Sequence, residues 1–172
     1  MANKALIFDT SVFCCLLQVP GKETCGPEGD VWDHKRISNQ IAREEKEGST
    51  FVLPLATIIE TGNHISQCKG DRHSLARELG KYIRDTAEGN TPWAAFVAQT
   101  NLWERDTLLS LADNWPDMAT QGISLGDATI VDVADYYAQT GCTVEILTGD
   151  LGLKSHQPTP PLHKSIPRRR NR

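Results

Sequence analysis

The chain has 172 residues, of which 39% are hydrophobic and 23% charged, and a formal net charge of -4. That length and balance suit one globular domain able to bury its own core, and the acidic total excludes a protein that holds nucleic acid by overall charge alone. No apolar run approaches the ~18–20 residues that span a bilayer, so no membrane is expected. The opening MANKALIFDTSVF, without a charged leader ahead of a long apolar segment, sets the expectation of a cytoplasmic protein. The five cysteines (Cys14, Cys15, Cys25, Cys68 and Cys142) are odd in number and lack a CxxC pair, which points to reduced, mostly buried thiols rather than disulfides or structural zinc.

In chain order, residues 4 to 9 read as a short apolar strand, followed through Asp9-Thr10-Ser11 by a short buried helix, SVFCCLLQ. Gly and Pro punctuate residues 20 to 30 as a loop, and an amphipathic helix is predicted from about Trp32 to Lys46. A strand near 50 to 54 then leads into a helix that Pro54 can start, because its missing N–H would be unpaired in the first turn anyway. That helix carries Glu60. Further helices are predicted near 71 to 88 and 104 to 113, then a helix headed by Asp127 and ended by Gly141, and a strand over 143 to 148. The alternation of strand and helix favours an α/β fold with a parallel sheet.

Two regions are basic. On LARELGKYIRD, Arg77, Lys81 and Arg84 recur at i, i+4 and i+7 opposite an apolar side. This is either a solvated helix face or a surface that follows a phosphate backbone. The end, HKSIPRRRNR, contains Arg168, Arg169 and Arg170 and follows the proline-rich QPTPPL, so a flexible tail from about 158 to 172 is expected.

Four acids carry the chemistry. Asp9 closes ALIFD, Glu60 follows FVLPLATII, Asp127 opens DATIVDVADYYAQ and Asp150 closes VEILTGD. Each has an ordinary reading: Asp9 as a helix N-cap, Asp150 as a turn residue, Glu60 as a solvated helix residue. Asp127 is harder to explain so, because Ile130, Val131, Ala134, Tyr137 and Ala138 follow it on one helix stripe, which places its charge at the head of the core-facing side. Ligands of open α/β sheets bind outside the carboxyl ends of the strands, where these acids would converge. Convergent carboxylates repel one another unless a cation sits among them, and oxygen ligands suit Mg²⁺ or Mn²⁺. Ser11 and Thr148 are candidates to hydrogen-bond and orient the ligands. Asn63 and His64, three and four residues beyond Glu60, lie where they could approach the same site.

ALIFDTS with Asp9, the helix-borne Glu60, LGDATIVDVA with Asp127 and ILTGD with Asp150 together resemble the acidic positions of PIN-domain nucleases, especially VapC-type toxins of toxin–antitoxin pairs. The resemblance covers about residues 4 to 153 and implies a PIN-like domain over 1–157, with a central parallel sheet flanked by helices on both faces. It also implies a metal-dependent ribonuclease leaving 5′-phosphate and 3′-hydroxyl ends, with Asp9, Glu60, Asp127 and Asp150 as its catalytic and metal-binding residues. A homodimer and a cognate antitoxin are the implied partners, with RNA as substrate. Arg77, Lys81, Arg84 and the tail arginines are hypothetical backbone contacts.

Two other readings compete. An Asp after an N-terminal strand also opens haloacid-dehalogenase-like phosphatases, but those expect a second acid where this chain has Ser11, and a GDxxxD-like motif where it has GDLGLK. The stronger rival is a PIN-like module that binds partners without catalysis.

Overall fold

Ala5, Leu6, Ile7 and Phe8 are apolar without interruption and have no exposed surface, which places the first strand at the centre of the molecule. The computed structural model describes residues 3–160. In chain order its elements are β1 (Lys4–Phe8), α1 (Thr10–Leu16), β2 (Thr24–Cys25), β3 (Trp32–Asp33), α2 (His34–Lys46), β4 (Thr50–Val52), α3 (Leu55–Gln67), α4 (Arg72–Glu88), a 3₁₀ segment Phe96–Trp103, α5 (Arg105–Thr120), α6 (Leu125–Gln139), β5 (Thr143–Leu147) and α7 (Leu151–Ser155). The expected α/β class with a parallel sheet is what the chain adopts. The sheet has three parallel strands in the order β4-β1-β5, with Leu6 opposite Phe51 on one side and Glu145 on the other. The strands β2 and β3 form a separate antiparallel pair.

Side chains of a strand alternate between faces, and β1 divides its own between two cores. Leu6 and Phe8 join Val12 and Phe13 of α1, Ile37 of α2, Ile65 of α3 and Leu79 of α4. Ala5 and Ile7 join Ile130, Val133, Ala134 and Tyr137 of α6, with Leu153 of α7. The chain therefore covers both faces of the sheet with helices. The first core contains edge-to-face aromatic pairs: Phe8 meets Phe13 at 6.0 Å and Phe51 at 5.7 Å, and Trp93 meets Phe51 at 5.5 Å and Tyr82 at 5.4 Å between ring centres. Trp93 reaches this place because residues 92 to 94 bridge the free side of β4, Phe51 N donating to Pro92 O and Ala94 N to Phe51 O, both at 2.8 Å.

Several boundaries differ from the sequence reading. The stretch read as a loop contains β2, and Trp32, expected to begin a helix, lies in its partner strand β3, buried against the first core. The helix waits for Asp33, whose carboxylate caps Arg36 N at 2.8 Å. Pro54 is the residue before α3 rather than its first member, with φ -64° and an extended ψ of 150°. Helix α5 runs seven residues past its expected end, to Thr120, through Pro116. Proline there removes the N–H that Ala112 would receive, yet Ala112 is exposed, and the Trp115 indole donates to Ile123 O at 3.2 Å, which fastens the final turn. No helix among the described residues is long and apolar enough to cross a membrane. The tail arginines Arg168, Arg169 and Arg170 lie outside the described residues.

Candidate metal centre

All three strands of the parallel sheet end at the same edge, and β1 ends directly into Asp9. The Asp9 backbone N–H donates to Leu147 O at 3.0 Å, which ties it to the last residue of β5. Its carboxylate caps α1, Oδ1 accepting from Thr10 N at 2.6 Å and Oδ2 from Ser11 N at 3.3 Å. Oδ2 also accepts from Ser11 Oγ at 2.6 Å and from Thr148 Oγ1 at 2.8 Å. The N-cap role and an oriented buried carboxylate thus coexist in one residue. Asp9 is only 4% exposed. Burial pushes its pKa above the usual carboxylate value, the two hydroxyls pull it back, and the charge of Asp127 pushes it up further.

The other acids arrive by separate routes. Glu60, in the second turn of α3, accepts from Thr10 Oγ1 at Oε2, 2.9 Å, so it is tied to the residue after Asp9. Its Oε1 occupies the space a Cβ would need at position 126, which is why Gly126 suits the first turn of α6. Asp127 closes a capping box with Ser124: its Oδ2 receives the Ser124 hydroxyl at 2.8 Å, and the same hydroxyl receives Asp127 N at 3.0 Å. Asp150 caps α7, Oδ1 accepting from Gly152 N at 2.6 Å and Leu153 N at 3.2 Å, while its own N–H donates to Thr148 Oγ1 at 2.9 Å. Thr148 therefore links Asp9 and Asp150 through one hydroxyl. The four carboxylates line a single cleft of about 310 Å³.

Within the cleft, Glu60 Oε1, Asp127 Oδ1 and Asp150 Oδ2 accept no hydrogen bond from protein among the described residues. Hard carboxylate oxygens left open beside a buried acid are the donor chemistry that Mg²⁺ or Mn²⁺ takes, and the residues fit such an ion on that ground. They are not drawn together in advance: among the described residues, no three His, Cys, Asp or Glu side chains are spaced to hold one metal ion. The helix caps account for this spacing, since the second oxygens of Asp127 and Asp150 are turned onto backbone and hydroxyl donors.

Not every expected residue reaches the cleft. Asn63 is exposed and off it, whereas His64, one residue and one 100° helical step further on, lines it. Arg77, Lys81 and Arg84 are exposed on α4 and none lines the cleft; Lys81 pairs instead with Glu78 at 2.6 Å. Conversely, Thr10, Lys22, Thr24 and Cys25 line the cleft although no sequence signal singled them out. Thr10 follows directly from its position after Asp9. The other three come from the β2 region, whose return to the sheet edge is a long-range packing event. Compared with protein-family models, with curated proteins and with solved structures, the chain matches none at a significant level.

Proposed function

We propose that the chain is a metal-dependent endoribonuclease of the PIN-domain type, hydrolysing RNA phosphodiester bonds in the cleft formed by Asp9, Glu60, Asp127 and Asp150. The observation that carries the reading is the convergence of four carboxylates from four separate segments on one cleft at the carboxyl edge of a parallel sheet, with Asp9 buried among them and without an ion pair among the described residues. Asp9, Asp127 and Asp150 would hold Mg²⁺ or Mn²⁺, with Glu60 as a further ligand or a base. When bound, such an ion supplies a water of lowered pKa and neutralises charge on phosphate oxygens.

The chain's own residues do the rest. Ser11 and Thr148 hold Asp9 in position and favour its ionised form against the burial that raises its pKa, because their hydroxyls donate to the charged carboxylate. Thr10 fixes Glu60 through Oε2 and leaves Oε1 to accept the proton that the attacking water loses. No nucleophilic side chain is required. In this reading the protein works in the cytoplasm as a toxin held in check by an antitoxin, and forms a homodimer. The exposed apolar side chains Val97, Trp103, Leu108 and Leu109 on the 3₁₀ segment and α5 offer surface to such partners.

One observation favours a second reading, a PIN-like module that binds partners without catalysis: Asp127 and Asp150 each spend one carboxylate oxygen on a helix cap, and no three ligands are ready-spaced. Cleavage of an RNA and single-stranded DNA panel, with and without Mg²⁺ or Mn²⁺, separates the two when Asp9→Asn protein is run in parallel. Metal-dependent RNA cleavage lost in the variant supports the nuclease. Two folded proteins that cut nothing under either metal would favour the binding module.

A further inference from the structure

Residues 20–33 form a strap that puts Lys22, Thr24 and Cys25 on the wall of the acidic cleft, and it is anchored along its length. At its start Val19 is buried, and Lys22 N donates to Val19 O at 2.8 Å, closing a turn. In its middle, Cys25 and Gly26 press on Gly149, where any Cβ would collide with the Gly26 backbone N and the Cys25 side chain. Gly149 is also the residue whose N–H donates to Ser11 Oγ at 3.1 Å, so the strap rests on the same support that holds Asp9. At its end Trp32 enters the core, with the Arg36 guanidinium 3.8 Å above its ring and paired to Asp30 at 2.6 Å.

The strap carries one cation to the cleft wall. Besides the four carboxylates, the charged or titratable side chains lining the cleft are Lys22, His64, Cys14 and Cys25, and of these Lys22 alone has a fixed positive charge at neutral pH. Among the described residues Lys22 makes no salt bridge, although acids line the same cleft, and its one acidic chain neighbour, Glu23, accepts instead from Gly21 N at 3.0 Å. A cleft with four carboxylates repels a polyanion. Ions held by those carboxylates offset that charge only near themselves, so a phosphate one step along the strand needs a cation of the protein's own.

We propose that Lys22 is the cleft's phosphate contact: its ammonium binds a non-bridging oxygen of the RNA backbone and sets the register of the strand over the carboxylates. The proposal rests on the nuclease reading and assigns a substrate-positioning role to the strap. It replaces the α4 basic face, which stands away from the cleft, as the nearest cationic guide.

The test is binding of a short fluorescein-labelled oligouridylate by anisotropy across a salt series, with Ca²⁺ in place of Mg²⁺ to hold off cleavage. Wild type, Lys22→Ala, Lys22→Arg and the distant surface control Lys46→Ala are compared. Lys22→Ala should weaken binding about fivefold and reduce the slope of log affinity against log salt by about 0.7, the signature of one lost contact to a single-stranded phosphate. Lys22→Arg should keep the slope, and Lys46→Ala should change neither quantity. In cleavage assays the alanine variant should raise KM more than it lowers kcat. If wild type binds and cleaves RNA while Lys22→Ala matches it in affinity and slope, the proposal is overturned and the nuclease reading stands. If wild type neither binds nor cleaves RNA, both fall together.

Discussion

Glu44 and Asp9 are both buried carboxylates, one at each end of β1, yet they are treated in opposite ways. Glu44, 1% exposed, has a cation: Lys4, the first residue of β1, lies against its Oε1, and Arg43 adds a longer contact at 3.5 Å. Gln40 and Ser49 complete its hydrogen bonds at 2.8 and 2.6 Å. Burial alone would raise the pKa of Glu44, but Lys4, Ser49 and Arg43 outweigh it and hold the carboxyl below its usual value. Asp9 has hydroxyls and backbone N–H groups but no ion pair among the described residues, and the charge of another acid, Asp127, pushes its pKa up. A carboxylate buried for structural reasons brings its counter-charge with it, because an unpaired buried charge is costly. In the proposed reading, the end of the strand without such a partner is the one that takes a cation from outside.

The largest effect that could break this contrast is at Asp9 itself. If the proposed nuclease reading holds, Asp9→Asn should reduce metal-dependent cleavage by about 10³-fold or more, since a proposed metal ligand and its charge are lost. On the same reading Mn²⁺ should raise the melting temperature of the wild type and not that of Asp9→Asn, while the metal-free variant stays no less stable than wild type. A metal-free variant that melts well below wild type would mean Asp9 is a structural carboxylate like Glu44. Next in size, in the nuclease reading Thr148→Val should lower activity about 10- to 100-fold and cost about 1–3 kcal/mol in stability, because the buried hydroxyl donates to Asp9 and accepts from Asp150 N; steady-state kinetics beside thermal melts check both.

At the other end of β1 the expectation reverses. Lys4→Met should cost about 2 kcal/mol in urea unfolding by leaving Glu44 with only the exposed Arg43 as cation, yet leave cleavage per folded molecule unchanged. The smallest effect is a difference in sign with pH in the metal-free protein. The folded pKa of Asp9 is raised, so its share of stability is full below the ordinary carboxylate value and is lost as pH rises through the elevated one. That of Glu44 is lowered, so its share is present above the ordinary value and is lost as pH falls through the depressed one. Melting curves across pH should lose the first slope in Asp9→Asn and the second in Glu44→Gln. Equal slopes in all three proteins would remove the distinction.

What could be read in advance was whatever lay within a few residues of a strong local signal. β1 and Asp9 stood out because a wholly apolar run ends in an acid, and Ser11 and Thr148 because each sits two residues from an acid. The α/β class followed from the same runs. Trp93 was not legible: its role depends on pairing with Phe51 more than 40 positions away. The same holds for Lys22, which gains meaning only through the contact of Cys25 and Gly26 with Gly149. Asn63 and His64 show the finer limit. Both lie within one turn of Glu60, and one helical step decides which of them meets the cleft. The end of α5 was not legible either: the helix runs through Pro116 to Thr120, its last turn held by the Trp115 bond to Ile123 O.

The sheet is only three strands wide, and among the described residues its two margins are covered to different degrees. Residues 92 to 94 occupy the outer side of β4, and the Gln157 side chain takes the outward N–H of Ile146 on β5 at 3.0 Å. A bare margin is a template on which another chain can lay a strand, whether a functional partner or an aggregate. Here that route is occupied along β4 and interrupted at one position along β5. Strand addition is therefore disfavoured, and the concentrated protein should resist the edge-to-edge stacking to which so small a sheet would otherwise be prone.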